Sequence, residues 1–354
     1  MAAASIQEYT DALTVVPGKR SLSDGLDEIN WASMVKAPNA HYLHWGSGNF
    51  AVVFRCLPAT GSDLALRCLL FPPSQDAAER AAAVSEYLRH LPQKPDSFVG
   101  YRFVPDAIYA GNEWRAAYVM DWVAGDTLSK AVYALVNDGD RGRLQAMSAD
   151  VARMVTQMQE ASIAHGDLQH ENIMVLPTGD LRLVDYDSVY VPSLTGRGCL
   201  MVGVEGYAHP SYLDRSTVRP FNAHMDTFSG LVLITSLRAI ASDFSLFQRF
   251  TQDNLFFRAE DFQAPAASPA FAALLSLGDA QLTALTNSLL AMCLDADKAQ
   301  VPLSRVQGIV QERRKAPSPR TVEPALPDKL APWAARALIG HRTFAPIFKN
   351  ETPI

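Results

Sequence analysis

The chain has 354 residues, enough for two lobes or two small domains with a sizeable core. Its 48% apolar and 19% charged residues are those of an ordinary globular protein, and a net charge of −6 offers no basic excess for non-specific nucleic-acid binding. Four scattered cysteines without a C-x-x-C pair argue for reduced thiols in a cytoplasmic protein. The N-terminus lacks a basic-then-apolar leader pattern. The longest apolar run, Gly230 to Ile240, is too short to cross a bilayer and contains Arg238, so no membrane span is expected.

Residues 1–41 are a mixed extension to which no function attaches. Tyr42 to Trp45 is strand-like, and Gly46-Ser47-Gly48-Asn49-Phe50 is a glycine turn leading into a second strand through Val53. Glycines let backbone N–H groups approach phosphate oxygens, although a tight hairpin explains them equally well. Leu64 to Phe71 is a strand carrying a single cation, Arg67, which needs a partner or an anion. Asp76 to His90 is an alanine-rich helix on which Glu79 and Glu86 are the available carboxylates. Strands are expected over 98–109 and 113–123, turning at Gly111-Asn112, and helices over 127–137 and 144–161.

The most informative stretch is His165 to Asp187. A polar loop leads into a short apolar strand (Ile173 to Leu176), a turn at Pro177-Thr178-Gly179-Asp180 and a second strand (Leu181 to Val184) ending in acidic residues. Such a hairpin can align Asp167, Asn172 and Asp185 along one edge, and hard oxygen ligands of this kind suit Mg²⁺ brought in with substrate phosphates. Further on lie an irregular segment to about Arg219, a helix from Met225 that is apolar on most sides, helices over 268–278, 279–294 and 304–314, a Pro-rich tail and a short helix at 333–339. Asp226, at the start of the apolar helix, requires donors, which backbone N–H groups of a neighbouring loop would supply.

In this order the parts resemble the protein-kinase fold over roughly residues 42–314, in a form similar to divergent bacterial Ser/Thr kinases. Gly46-x-Gly48-x-Phe50-Ala51-x-Val53 is similar to G-x-G-x-x-G-x-V, and Leu64-Ala65-Leu66-Arg67 to V-A-I-K. His165-Gly166-Asp167-Leu168-Gln169-His170-Glu171-Asn172 looks like H-R-D-L-x-x-x-N, and Asp185-Tyr186-Asp187 like D-F-G. The resemblance implies a two-lobed α+β fold. An antiparallel sheet with one main helix would form an N-lobe (42–123), a mostly helical C-lobe (124–314) would follow, and 315–354 would be a tail.

It also implies ATP and Mg²⁺ as cofactors and a set of roles. Asp167 would orient or deprotonate the acceptor hydroxyl, and Asn172 and Asp185 would hold the metal. Gly46, Ser47 and Gly48 would cover the phosphates, with Asn49, Phe50, Val53 and Ala65 completing the nucleotide-binding set. Arg67 would contact the α/β-phosphates and pair with Glu86, while Met120, Asp121, Trp122 and Val123 would line the adenine pocket.

Three departures from the pattern bear on activity. Arg67 replaces a Lys, Gln169 replaces the Lys that neutralises the γ-phosphate, and Gly166 replaces the Arg that reads a phosphorylated loop. The leading expectation is transfer from ATP to a protein Ser/Thr hydroxyl, with a protein substrate or partner. The alternatives are a pseudokinase that binds nucleotide or scaffolds, and a small-molecule phosphotransferase of the aminoglycoside- or choline-kinase type.

Overall fold

The structure is a computed structural model that describes residues 3–14, 23, 26, 34–35, 44–47, 50–56, 58, 61–199, 202–213 and 218–309. Gly48, Asn49, the Pro-rich tail and the helix expected at 333–339 lie outside the described residues. The described residues group into two compact units, one holding those up to Ser74 together with Phe103–Trp122, the other Gln75–Arg102 and those from Val123 on.

The first unit is built on β-branched and apolar runs punctuated by turns. Its strands are β1 (Met34–Val35), β2 (His44–Ser47), β3 (Ala51–Cys56), β4 (Leu64–Leu69), β5 (Tyr101–Ala110) and β6 (Glu113–Asp121). They form one sheet in the order β1-β3-β4-β6-β5, with β2 also pairing β3. The β2–β3, β3–β4 and β4–β6 pairs are antiparallel, and Arg67 lies between Val53 and Tyr118. Gly111 and Asn112 both take positive φ at the β5–β6 turn, as its sequence requires. Helix α1 (Ile6–Thr14) was not legible in the sequence. It inserts Tyr9 and Leu13 into the core formed by Val52, Phe54, Leu66, Ile108 and Val119. Its N-terminal approach is pinned by Ala4 N–H donating to Leu70 O at 2.7 Å.

The second unit is mostly helical. Helix α2 (Gln75–His90) belongs to it, as do α3 (Leu128–Asn137), α4 (Arg141–Glu160), α5 (Pro210–Leu213), α6 (Thr227–Ser242), α7 (Phe244–Phe250), α8 (Ala259–Gln263), α9 (Pro269–Ser276) and α10 (Ala280–Leu294). Several starts are set by side-chain caps: Asp140 accepts from Arg143 N–H at 3.0 Å, Ser268 from Phe271 N–H at 3.2 Å and Asp279 from Leu282 N–H at 2.7 Å. A small antiparallel sheet joins β7 (Asp126–Thr127), β8 (Ile173–Val175) and β9 (Leu181–Leu183). The α+β fold of an antiparallel sheet followed by helices is therefore the one observed, and it is kinase-like. No described helix is long and apolar enough to cross a membrane.

The sequence reading is corrected at 304–314. The described part of that stretch holds only a 3₁₀ turn at Leu303–Arg305 followed by irregular backbone to Ile309. Gly308 has φ +87°, and a Cβ there would lie 2.8 Å from Leu285 N, so the chain is fitted against α10 in a conformation a right-handed helix cannot use.

Helix α6 is apolar on most sides and buried along nearly its whole length. It packs on α4 at Gly230, where an added Cβ would lie 3.1 Å from Val155 Cγ2. Gly230→Ala offers a gain in helix propensity of about 1 kcal/mol against this contact, whereas Gly230→Val forces a branched side chain into it. Urea unfolding is expected to show the alanine variant within about 1 kcal/mol of the parent and the valine variant about 1–3 kcal/mol less stable.

Candidate active site

The loop bearing Asp167 is held from below by one buried carboxylate. Asp226 is 1% exposed and makes no side-chain cap at the start of α6. Its carboxylate instead accepts the His165 N–H through Oδ2 and the Gly166 N–H through Oδ1 at 3.0 Å. These are backbone donors of the kind its burial demanded. Arg219 completes the anchor: it donates to Gly166 O at 2.6 Å, and its guanidinium lies 3.9 Å from Asp226 Oδ1. Burial raises the Asp226 pKa, and the neighbouring His165 and Arg219 with the two N–H donors work against that rise.

Gly166 is a geometric requirement here. Its φ is +81°, and a Cβ would sit 2.1 Å from Ser188 O, so no other residue fits without displacing that backbone. His165 is fully buried and carries the loop's geometry onward: Nε2 donates to Val184 O at 2.9 Å and Nδ1 accepts the Asp167 N–H at 3.4 Å. Tyr186 is likewise buried. Its hydroxyl accepts from Val99 N–H at 2.9 Å and donates to Leu183 O at 3.1 Å, and its ring packs 5.2 Å from Phe98 and from Tyr101.

On this scaffold Asn172 Nδ2 donates to Asp167 O at 2.8 Å and to Asp167 Oδ2 at 3.1 Å. Asn172 is thereby oriented, and its carbonyl oxygen takes no part in these two bonds. Asp167 Oδ1 is buried and has no hydrogen-bond partner among the described residues. Asp185 follows β9 with φ +66°, a strained value for a residue with a side chain, found where function fixes the backbone. One amide oxygen and one carboxylate are too few for a protein-only metal cage, and no cluster of three His, Cys, Asp or Glu ligands exists among the described residues. The set fits Mg²⁺, which takes few protein ligands and fills its sphere with water and phosphate. Gln169 is buried, and its backbone carbonyl accepts the Asn172 N–H at 3.1 Å. Asp187 is exposed.

In the first unit Arg67 is 6% exposed within β4, and its guanidinium lies 5.2 Å from the Tyr118 ring centroid. Val53, Ala65 and Met120 are buried in the same sheet, and Phe50 stacks obliquely on Phe71. Gly46 and Ser47 end β2, paired to Val53 and Val52. The Trp122 N–H donates to Asp63 O at 2.7 Å. Asp121 ends β6, and Val123, in the second unit, is buried.

Helix α2 holds the carboxylates considered as partners for Arg67. Glu86 is exposed and ion-paired with Arg89 and His90 of its own helix. Glu79 receives Arg197 at 2.7 Å and Gln75 at 3.0 Å. Arg197 also donates to Asp76 at 2.8 Å, joining α2 to the segment after Asp187. Neither Arg197 nor Arg219 was singled out from the sequence as a site residue. Each lies in an irregular stretch without periodicity, so no signal marked them.

Hydrogen bonds from Arg80 to Asp76 and from Arg197 to Glu79 lead in depressing these two carboxyl pKa values. A depressed folded-state pKa means stabilisation that is present above the unfolded carboxylate range and lost as pH falls through the folded value. Protease resistance of residues 192–199 is therefore expected to decline below about pH 4 and in high salt, and Arg197→Ala to remove that dependence. Gly166→Ala should unfold the loop. Asp226→Asn, which turns one acceptor into a donor facing an N–H, should cost about 2–4 kcal/mol in denaturant unfolding.

Residues 104–189, from β5 through Asp185-Tyr186-Asp187, match the family described as lipopolysaccharide kinase (Kdo/WaaP). That family belongs to the protein-kinase-like superfamily, the resemblance expected from the sequence, while the Ser/Thr protein-kinase type is not established by it. No curated protein matches the sequence. The match supports a kinase-type phosphotransferase.

Proposed function

We propose that the chain transfers the γ-phosphoryl group of ATP, with Mg²⁺, to a saccharide hydroxyl. The observation that carries this reading is the anchored loop and hairpin bearing Asp167, Asn172 and Asp185, which lies inside the stretch similar to lipopolysaccharide kinases. Asp167 Oδ1 takes the proton of the acceptor hydroxyl while Asn172 holds Oδ2, so one oxygen is positioned and the other reacts. Asn172 and Asp185 would hold Mg²⁺, which would supply charge neutralisation for the phosphates. Arg67 would bind the α/β-phosphates, Gly46 and Ser47 would lie beside them, and residues 120–123 would flank the base. Phosphoryl transfer asks mainly for positioning and charge neutralisation, which this set supplies.

Two other readings have support. The Asp226 anchor favours a protein Ser/Thr hydroxyl as acceptor, since the sequence features around it resemble protein kinases most. Arg67 and Gln169 favour a pseudokinase, because both point cations of the usual site are altered.

Incubation with γ-labelled ATP, Mg²⁺ and either lipopolysaccharide core oligosaccharide or a Ser/Thr peptide mixture separates the three. Label on the oligosaccharide is the expected result, and label on the peptides alone moves the acceptor to protein. A rise in melting temperature with ATP and no labelled product identifies the pseudokinase. Asp167→Asn should lower transfer by about 10²–10⁴-fold while the ATP-induced rise in melting temperature persists. Retained transfer would remove Asp167 from the chemistry.

A further inference from the structure

The loop bearing Asp167 also lines a cavity of about 260 Å³ inside the second unit. Around it stand Lys130 and Tyr133 of α3, Phe247 of α7, Gln252 and Asn254 just beyond α7, and His170 of the loop. Tyr133 is 59% exposed, a large fraction for a ring of its size, and lies 6.2 Å from the Phe247 ring. The Tyr133 hydroxyl and the side-chain amides of Gln252 and Asn254 make no hydrogen bonds among the described residues. His170 is buried, with Nδ1 lacking a partner among them. Unused hydrogen-bonding groups and an uncovered aromatic pair therefore converge on one small hollow.

We propose that this cavity binds one uncharged sugar ring of the acceptor, an inference that rests on the saccharide reading above. An amide both donates and accepts, and so does each sugar hydroxyl, so Gln252 matches a ring bearing several hydroxyls, while the Asn254 amide lies against Gly206. The C–H face of a sugar suits the rings of Tyr133 and Phe247. An aliphatic side chain would leave the amides unsatisfied, at a cost comparable to the burial it gained. A phosphate would need cations, and the one nearby, Lys130, is paired with Asp126 at 2.5 Å. The volume lies just below the range of drug-sized pockets and suits a single ring.

The cavity is tied to the chemistry through the loop itself. His170 lies three residues after Asp167, and its ring stacks on Tyr207 with 5.3 Å between centroids. The Tyr207 hydroxyl in turn accepts the Leu255 N–H at 3.0 Å, beside the cavity wall. A ring held here is positioned by the same backbone that positions Asp167.

The test uses the full chain and lipopolysaccharide core oligosaccharide freed of acyl chains. Binding is measured calorimetrically without nucleotide, and KM values are measured with ATP and Mg²⁺. Tyr133→Ala and Gln252→Ala should each weaken oligosaccharide binding, and raise its KM, about tenfold. The KM for ATP and the melting temperature should stay where they are. Tyr133→Phe, which keeps the ring, should fall between parent and alanine variant. If the oligosaccharide is phosphorylated with the same KM by parent and both alanine variants, the saccharide reading stands and the cavity is the wrong place. If the parent neither binds nor labels the oligosaccharide, the saccharide reading fails and this inference fails with it, including where these variants change labelling of peptides instead.

Discussion

One buried carboxylate fixes the geometry on which the chemistry would depend. Asp226 is removed from water at the head of an apolar helix, a position costly for a charge unless donors surround it. The donors are two successive backbone N–H groups of the catalytic loop, so the cost of burial is offset only when that loop has its functional shape. The anchor is therefore selective as well as stabilising. A loop that rotated Gly166 out of place would strand both the carboxylate and the two amides. From this point order is relayed outward, through His165 to Val184 O and through Asn172 to Asp167, so the Asp167 carboxylate is set by partners that are themselves fixed.

The substitution of glycine within H-G-D follows from the same constraint. With Ser188 O where a Cβ would be, the loop has no room for the arginine that reads a phosphate in many kinases. Positive charge appears instead on the segment that follows Asp187. Arg219 binds the Gly166 carbonyl, and Arg197 binds the two acidic residues at the start of α2. These contacts join the segment to its neighbours through permanent charges.

Much of this was legible in the sequence where local chemistry determines structure. The β8–β9 hairpin, the Gly111-Asn112 turn and the donors required by Asp226 all follow from residue type and spacing, and each is where it was expected. What escaped notice depends on distant partners. Helix α1 is short, and its Tyr9 and Leu13 acquire meaning only against the sheet. Arg197 and Arg219 lie in irregular chain, where no period distinguishes an anchoring cation from a solvated one. The expectation at 304–314 failed because an amphipathic pattern does not reveal that Gly308 must approach Leu285.

The two altered cations need not carry equal weight. Lys and Arg differ most where a compact charge must move to meet a phosphate. Arg67 is buried in the centre of β4, and its guanidinium lies against the Tyr118 ring, which orients the plane of the group as well as its position. A planar cation held in this way is suited to paired contacts with phosphate oxygens, which a point charge cannot make. The tyrosine beneath it is what a site rebuilt around a guanidinium would need and what a merely damaged lysine site would not. Gln169 has no such compensation. It is buried, next to the loop's own hydrogen bonds, and neutral, so in the proposed reaction charge on the γ-phosphate would be left to Mg²⁺. On this account Arg67→Lys would lower activity rather than restore it, and the neutral Gln169 would be the substitution that limits the rate.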